Sequence, residues 1–247
     1  MQRAIALLSI AAVLLFSGIA FSATEQEPAQ YAGHIYVDVQ TGESVFVGPN
    51  EAPAAGVDIY SNVLSPALGA ISSTSLTSIW GDHVLMTGLG ILSQHDLTIY
   101  NSSSSLGPLL TANVAINFYN FTTSVLIGGY TGTINFGAGL GVGFYSIVSF
   151  INLETLAIPI AFATNDIVVT QNLTAKTGTG NRFGVVLLEP VTIGTSPSTM
   201  YINSPTIGPA GYYTVGTGNA NPGYRINAIA PVATEPTTWG KVKSLYR

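Results

Sequence analysis

Asn113-Val114-Ala115-Ile116-Asn117-Phe118-Tyr119-Asn120 decides the fold class. Val114, Ile116 and Phe118 fall on one side of an extended chain; Ala115, Asn117 and Tyr119 fall on the other. A period of two with one wholly apolar face predicts a half-buried strand. Leu97 and Ile99 alternate with Thr98 and Tyr100 in the same way. Working outward, strands are predicted at His34 to Asp38, Ser44 to Val47, His83 to Thr87, Phe144 to Ile151, Asp166 to Gln171, Phe183 to Leu188 and Tyr224 to Ile229. Gly, Pro, Asn and Ser separate these runs, and Gly128-Gly129 and Thr131-Gly132 read as hairpin turns.

No internal window keeps a helical apolar stripe, and the residues that usually clothe helices are scarce. The 247-residue chain is 8% charged and 47% hydrophobic, with 27 Gly and 13 Pro. The expected fold is therefore all-β: an antiparallel β-sandwich of jelly-roll type, with Val114, Ile116, Phe118, Ile167, Val169, Val185 and Leu187 in its core. Seven basic residues against twelve acidic ones give a net charge of −5. That excludes a nucleic-acid partner, which needs a basic surface to displace counterions. With no cysteine, thiolate catalysis, disulfides and Cys-based zinc sites are excluded.

Arg3 followed by the apolar stretch Ala4 to Ala20 and the small-x-small site Ala20-Phe21-Ser22 reads as an export signal over residues 1–22. Residues 23–32 form a polar lead-in, 33–231 the sandwich domain, and 232–247 a C-terminal tail. The expected location is outside the cell or on its surface, with no transmembrane span once the signal is removed. Trp239, Lys241, Lys243 and Arg247 make the tail a basic, partly apolar segment suited to docking at an envelope surface.

Chemistry-bearing residues are sparse. Gly137-Ala138-Gly139-Leu140-Gly141-Val142-Gly143 lacks the spacing and the following helix of a phosphate loop. His34, His83 and His95 are the only histidines. Asp82-His83 and His95-Asp96 are sequence neighbours, and neighbours on a strand point to opposite faces, so neither doublet is a ready-made dyad. Glu154 sits between two apolar runs and reads as a turn residue. No catalytic residue, metal site or cofactor is expected. The remaining binding signal is aromatic: Trp80, Tyr212, Tyr213 and Tyr224 lie beside Gly, Asp or Asn and are candidates for stacking on sugars or protein partners. Extracellular polysaccharide or envelope components are the expected partners.

The runs Asp166-Ile167-Val168-Val169-Thr170-Gln171, Phe183-Gly184-Val185-Val186-Leu187-Leu188 and Pro190-Val191-Thr192-Ile193-Gly194-Thr195-Ser196 resemble secreted bacterial β-sandwich proteins associated with PEP-CTERM sorting signals. Val114 to Asn120 is similar to their strand ending in an aromatic-Tyr-Asn unit. The resemblance covers about residues 55–230 and implies an extracellular, non-catalytic sandwich. Glu235-Pro236-Thr237-Thr238-Trp239 is similar to the start of such a signal, but the sequence then departs from it, running into Gly240-Lys241 rather than an apolar span. Four function classes follow: a structural or adhesive surface sandwich, a carbohydrate-binding module, a secreted glycoside hydrolase and an outer-membrane barrel. The first agrees best with low charge and the lack of a catalytic constellation. N-terminal sequencing of the exported protein should begin at Ala23; a chain that keeps Met1 would show that the segment is retained.

Overall fold

The computed structural model describes residues 28–48, 56–197, 199–214 and 221–230. In chain order the strands are β1 (Gln30–Asp38), β2 (Ser44–Gly48), β3 (Val57–Ser61), β4 (Ala67–Ser73), β5 (Ile79–Leu85), β6 (Gly90–Asn101), β7 (Leu109–Asn120), β8 (Leu126–Leu140), β9 (Phe144–Ile151), β10 (Ala161–Phe162), β11 (Asp166–Gly178), β12 (Phe183–Leu188), β13 (Thr199–Ser204), β14 (Gly208–Thr214), β15 (Asn221–Pro222) and β16 (Tyr224–Ile229). The one helical turn among the described residues is a 3-10 turn at Leu153–Thr155, which carries Glu154. No helix among the described residues is long and apolar enough to cross a membrane.

The strands form two sheets. The first has ten strands along the path β15-β12-β6-β9-β1-β2, with β16 and β10 paired to β6, β3 to β16 and β4 to β12. The second has six, in the order β14-β13-β5-β11-β7-β8. Alternation along each strand turns one face of each sheet toward a shared core. Ile35, Val37, Leu97, Ile99, Val148 and Phe150 of the first sheet belong to one buried cluster with Val114, Ile116, Phe118, Ile167 and Val169 of the second. A further cluster joins Val185 and Leu187 of β12 to Trp80, Met200, Ile202 and Tyr213. All seven residues expected in the core are buried, and the architecture is all-β and sandwich-like.

The structure corrects several details. Pairing is not wholly antiparallel: β1 runs parallel to β9, with Ile35 opposite Val148 and Val37 opposite Phe150. Period-two alternation is the same in either direction, so the sequence carries no sign of this. β1 begins at Gln30, three residues before the expected domain boundary, and turns part of the lead-in into sheet. Gly128-Gly129 and Thr131-Gly132 are not turns but the middle of β8. Glycine there serves close packing: a Cβ on Gly132 would meet the Phe150 ring, and one on Gly128 would lie 3.0 Å from Ile160 Cγ1. The export signal and the basic tail, including Trp239, Lys241, Lys243 and Arg247, lie outside the described residues.

Several polar groups are sealed into this frame, some with partners and some, such as His95 Nε2 and the Tyr224 hydroxyl, without a hydrogen-bond partner among the described residues. Between the sheets, His95 Nδ1 lies 2.8 Å from the Tyr130 hydroxyl, and its ring stacks on Tyr224 at 5.6 Å. Burial holds the His95 pKa down at about 3. On the opposite face of the first sheet, Asp96 pairs with Arg225 and accepts a hydrogen bond from Gln94 at 2.8 Å. Nearby, His34 Nε2 is 2.6 Å from Ser149 Oγ, and burial, then Arg225, lowers its pKa to about 4.

His95 stays neutral in the fold, whereas in the unfolded chain it has the ordinary imidazole pKa of 6.5. Below that pH only the unfolded chain takes up the proton, so the parent loses about 1.4 kcal/mol per pH unit at this residue until about pH 3. His95→Phe lacks that loss. Between about pH 7.5 and pH 4.5, the denaturation free energy of the variant should move relative to the parent by about 2–3 kcal/mol in the variant's favour. A difference that stays constant across this range would show that the imidazole titrates alike in the folded and unfolded chain and is not held neutral by the fold.

Candidate functional site

The outer face of the second sheet carries a groove of about 990 Å³. Its construction follows from strand register. Tyr212 of β14 pairs with Tyr201 of β13, Tyr201 with Gly81 of β5, Gly81 with Thr170 of β11, and Thr170 with Asn117 of β7. One rank across five strands thus reads Tyr-Tyr-Gly-Thr-Asn. Gly81 has no room for a side chain: a Cβ there would lie 2.6 Å from Val169 O, 3.1 Å from Thr170 Cγ2 and 3.3 Å from Tyr201 Cβ. Its neighbours close over it, and β5 lines the groove through Ile79 and His83 on either side.

One wall is aromatic. Tyr201 and Tyr212 meet edge to face, with centroids 5.6 Å apart at 69°. Burial pushes the Tyr212 pKa up to about 12, helped by Tyr201 and by the charges of Asp82 and Asp166; burial raises Tyr201 as well. Both phenols remain protonated and able to donate. Tyr119 and the turn after β7 continue the lining, and Phe121 of that turn meets Tyr212 edge to face, with centroids 6.2 Å apart at 71°. In that turn the Phe121 ring stacks on His83 at 3.6 Å and 6°, and the Phe121 N–H donates to Asp166 O at 3.1 Å. His83 Nε2 lies 2.6 Å from Asp166 Oδ1. The floor and ends supply amides and hydroxyls from Asn117, Asn120, Asn172, Thr170 and Thr199.

The aromatic residues singled out by sequence divide sharply. Tyr212 lines the groove. Trp80 is 1% exposed, Tyr213 5% and Tyr224 0%: these three are core side chains and offer no stacking surface to a ligand. Their polar sequence neighbours are misleading because the alternation of β5 turns Trp80 and Asp82 inward and Ile79, Gly81 and His83 outward. Asp82 is held inside by Ser196 Oγ at 2.9 Å and by the Tyr60 hydroxyl, which donates at 3.4 Å. Burial raises its pKa well above the usual carboxylate value. The three histidines lie on three different surfaces and form no pair: His83 in the groove, His95 between the sheets and His34 on the far face of the first sheet. No group of three His, Asp or Glu side chains among the described residues is placed to hold a metal ion.

No family model, curated protein or solved structure matches the chain. The reading of the groove therefore rests on its own chemistry. Tyr119, Phe121 and Tyr201, absent from the sequence-based set, supply most of the aromatic surface. Their signal was present in one place: Asn117 and Tyr119 are the polar face of the strand that decides the fold. Its apolar face makes the core and its other face makes the site.

His83 acts here as a positioning residue, because it clamps Phe121 on one side and Asp166 on another. His83→Ala should speed amide exchange in the turn from Phe121 to Val125, leave the interior of β11 protected, and cost about 0.5–1.5 kcal/mol, the worth of an aromatic pair. Unchanged exchange in that turn would show that the stack does not hold it.

Proposed function

We propose that the protein is an exported, non-catalytic β-sandwich that works by binding at or outside the cell surface, with the groove of the second sheet as its contact surface. The observation that carries this reading is the aromatic-walled trough of Tyr201, Tyr212, Tyr119 and Phe121 on a rigid sheet. Its acid–base groups, His83 and Asp166, are bonded to each other at 2.6 Å rather than standing apart across the trough. A hydrolytic site of the two-carboxylate kind would need carboxyls about 5–9.5 Å apart flanking the bound substrate, and the groove lining supplies Asn and Thr instead.

Export is supported by the Arg3 and Ala4 to Ala20 pattern, and surface docking by the basic tail with Trp239, Lys241, Lys243 and Arg247, which is similar to the opening of a PEP-CTERM signal. A jelly-roll path belongs to the same reading. Its support is the way the chain alternates between sheets, with β5, β7, β11 and β13 in one and β6, β9, β12 and β16 in the other.

Isolated cell envelopes and extracellular polysaccharide of a producing bacterium, sedimented with the chain from Ala23 onward, should carry the protein down. Thr170→Trp, which fills the trough, should release it. Retention that is equal for parent and groove variants would overturn the groove as the contact surface.

A further inference from the structure

We infer that the groove takes an uncharged oligosaccharide, laid along β5 and β11 with a sugar face against the Tyr201–Tyr212 wall. This names the ligand class for the site proposed above and rests on that reading.

The first argument is charge. Among the described residues, no Lys, Arg or Glu lines the groove. Asp166, a carboxylate in contact with a lining side chain, already faces His83 at 2.6 Å. A uronate, sulfate or phosphate would leave water without an arginine or lysine to receive it, and a cationic ligand would have to compete for a carboxylate that is taken. Desolvating an uncompensated charge is costly, so the lining selects against both.

The second argument is the kind of polarity present. Each side-chain amide of Asn117, Asn120 and Asn172 carries two donors and an acceptor, that of Asn120 already receiving the Thr123 N–H at 2.9 Å; the hydroxyls of Thr170 and Thr199 both donate and accept, that of Thr170 already donating to Asn117 O at 3.4 Å. Sugar hydroxyls also do both, so they can satisfy this lining at several points around a ring. An acyl chain would leave these groups unmet. The tyrosine wall complements the polar floor: one side of a pyranose ring presents C–H groups that pack on an aromatic face, while its rim hydroxyls reach the amides.

The third argument is what the floor withholds. β5 is bonded to β11 and β13 on its two sides, and β11 to β5 and β7. Their backbone N–H and C=O groups are spent within the sheet. An extended peptide that binds by adding a strand needs an open edge, which the floor strands β5 and β11 do not supply; one edge strand of this sheet is β14, at the Tyr212 wall. Recognition must come from side chains alone. Along β5 the lining contributes Ile79 and His83, with the His83 ring covered on one face by Phe121 at 3.6 Å, and the groove of about 990 Å³ has room for more than one sugar ring.

The test is isothermal titration of the chain from Ala23 onward with neutral oligosaccharides (cello-, xylo-, manno- and galacto-series) and, in parallel, with oligogalacturonate and a mixed polar peptide. At least one neutral series should bind, more tightly as it lengthens beyond one ring, while oligogalacturonate binds at least about tenfold more weakly, a difference of about 1.4 kcal/mol. Tyr201→Ala and Tyr212→Ala should each weaken binding about threefold to tenfold with the melting temperature within a few degrees of the parent, and Thr170→Trp should abolish it. Preferred binding of oligogalacturonate or peptide, or neutral binding indifferent to all three variants, overturns the inference. If envelope retention is lost in Thr170→Trp yet no neutral glycan binds, the sugar assignment fails while the groove stands as a contact surface. If retention itself ignores the groove, the underlying reading fails.

Discussion

Two sheets press their inner faces together on a buried apolar cluster, and in the second sheet that constraint decides which way each side chain points. A residue on a strand has only two choices, inward or outward, and its neighbours must take the other. Once Trp80 and Val84 are committed to the core, Gly81 and His83 must face out; once Ile116 and Phe118 are inside, Asn117 and Tyr119 are outside. The groove is the outward image of the core. Its residues hold their positions because the inward ones are locked, which is how an open groove can be rigid without elements of its own.

The same constraint explains what was legible in the sequence. The bounds of β9, β12 and β16 agree with the predicted runs, because each has an apolar alternation or a continuous buried run ended by Gly, Pro or polar residues. The core was legible for the same reason. Direction was not: the parallel pairing of β1 with β9 leaves no trace in either strand's pattern. Gly128, Gly129 and Gly132 were misread because glycine marks both turns and places where a ring such as Phe150 presses on a strand. The candidate site was legible only in part. Tyr212 was found, but Trp80, Tyr213 and Tyr224 were assigned by the polarity of their neighbours when parity sends them inward. The rank Tyr212–Tyr201–Gly81–Thr170–Asn117 spans five strands drawn from residues 81 to 212, and register of that kind is a property of pairing, not of any window of sequence.

Several groups with the chemistry for acid–base work are closed off rather than deployed. His95 sits between the sheets with Tyr130 and Tyr224, Asp82 is enclosed by Ser196 and Tyr60, and Asp96 faces Arg225. Their shifted protonation follows chiefly from desolvation, the same cause that often marks active sites. Geometry separates the two cases. A functional group must meet solvent or substrate, whereas His95, Asp82 and Asp96 meet only their protein partners. Removing one member of such a buried pair strands the other, so they weigh on uniqueness of the fold more than on net stability.

The parallel contact between β1 and β9 also has a kinetic side. Residues 30–38 find their partner at 144–151, and β3 at 57–61 waits for β16 at 224–229. Early strands of the first sheet are completed by late ones, whereas β7 with β8 and β13 with β14 pair with their sequence neighbours. Contacts as distant as those of β1 and β3 slow folding and keep strand edges open for longer. Loss of β16 would therefore strip β3 of its partner and β6 of one of its neighbours, a heavier damage than a cut of equal length in a surface turn.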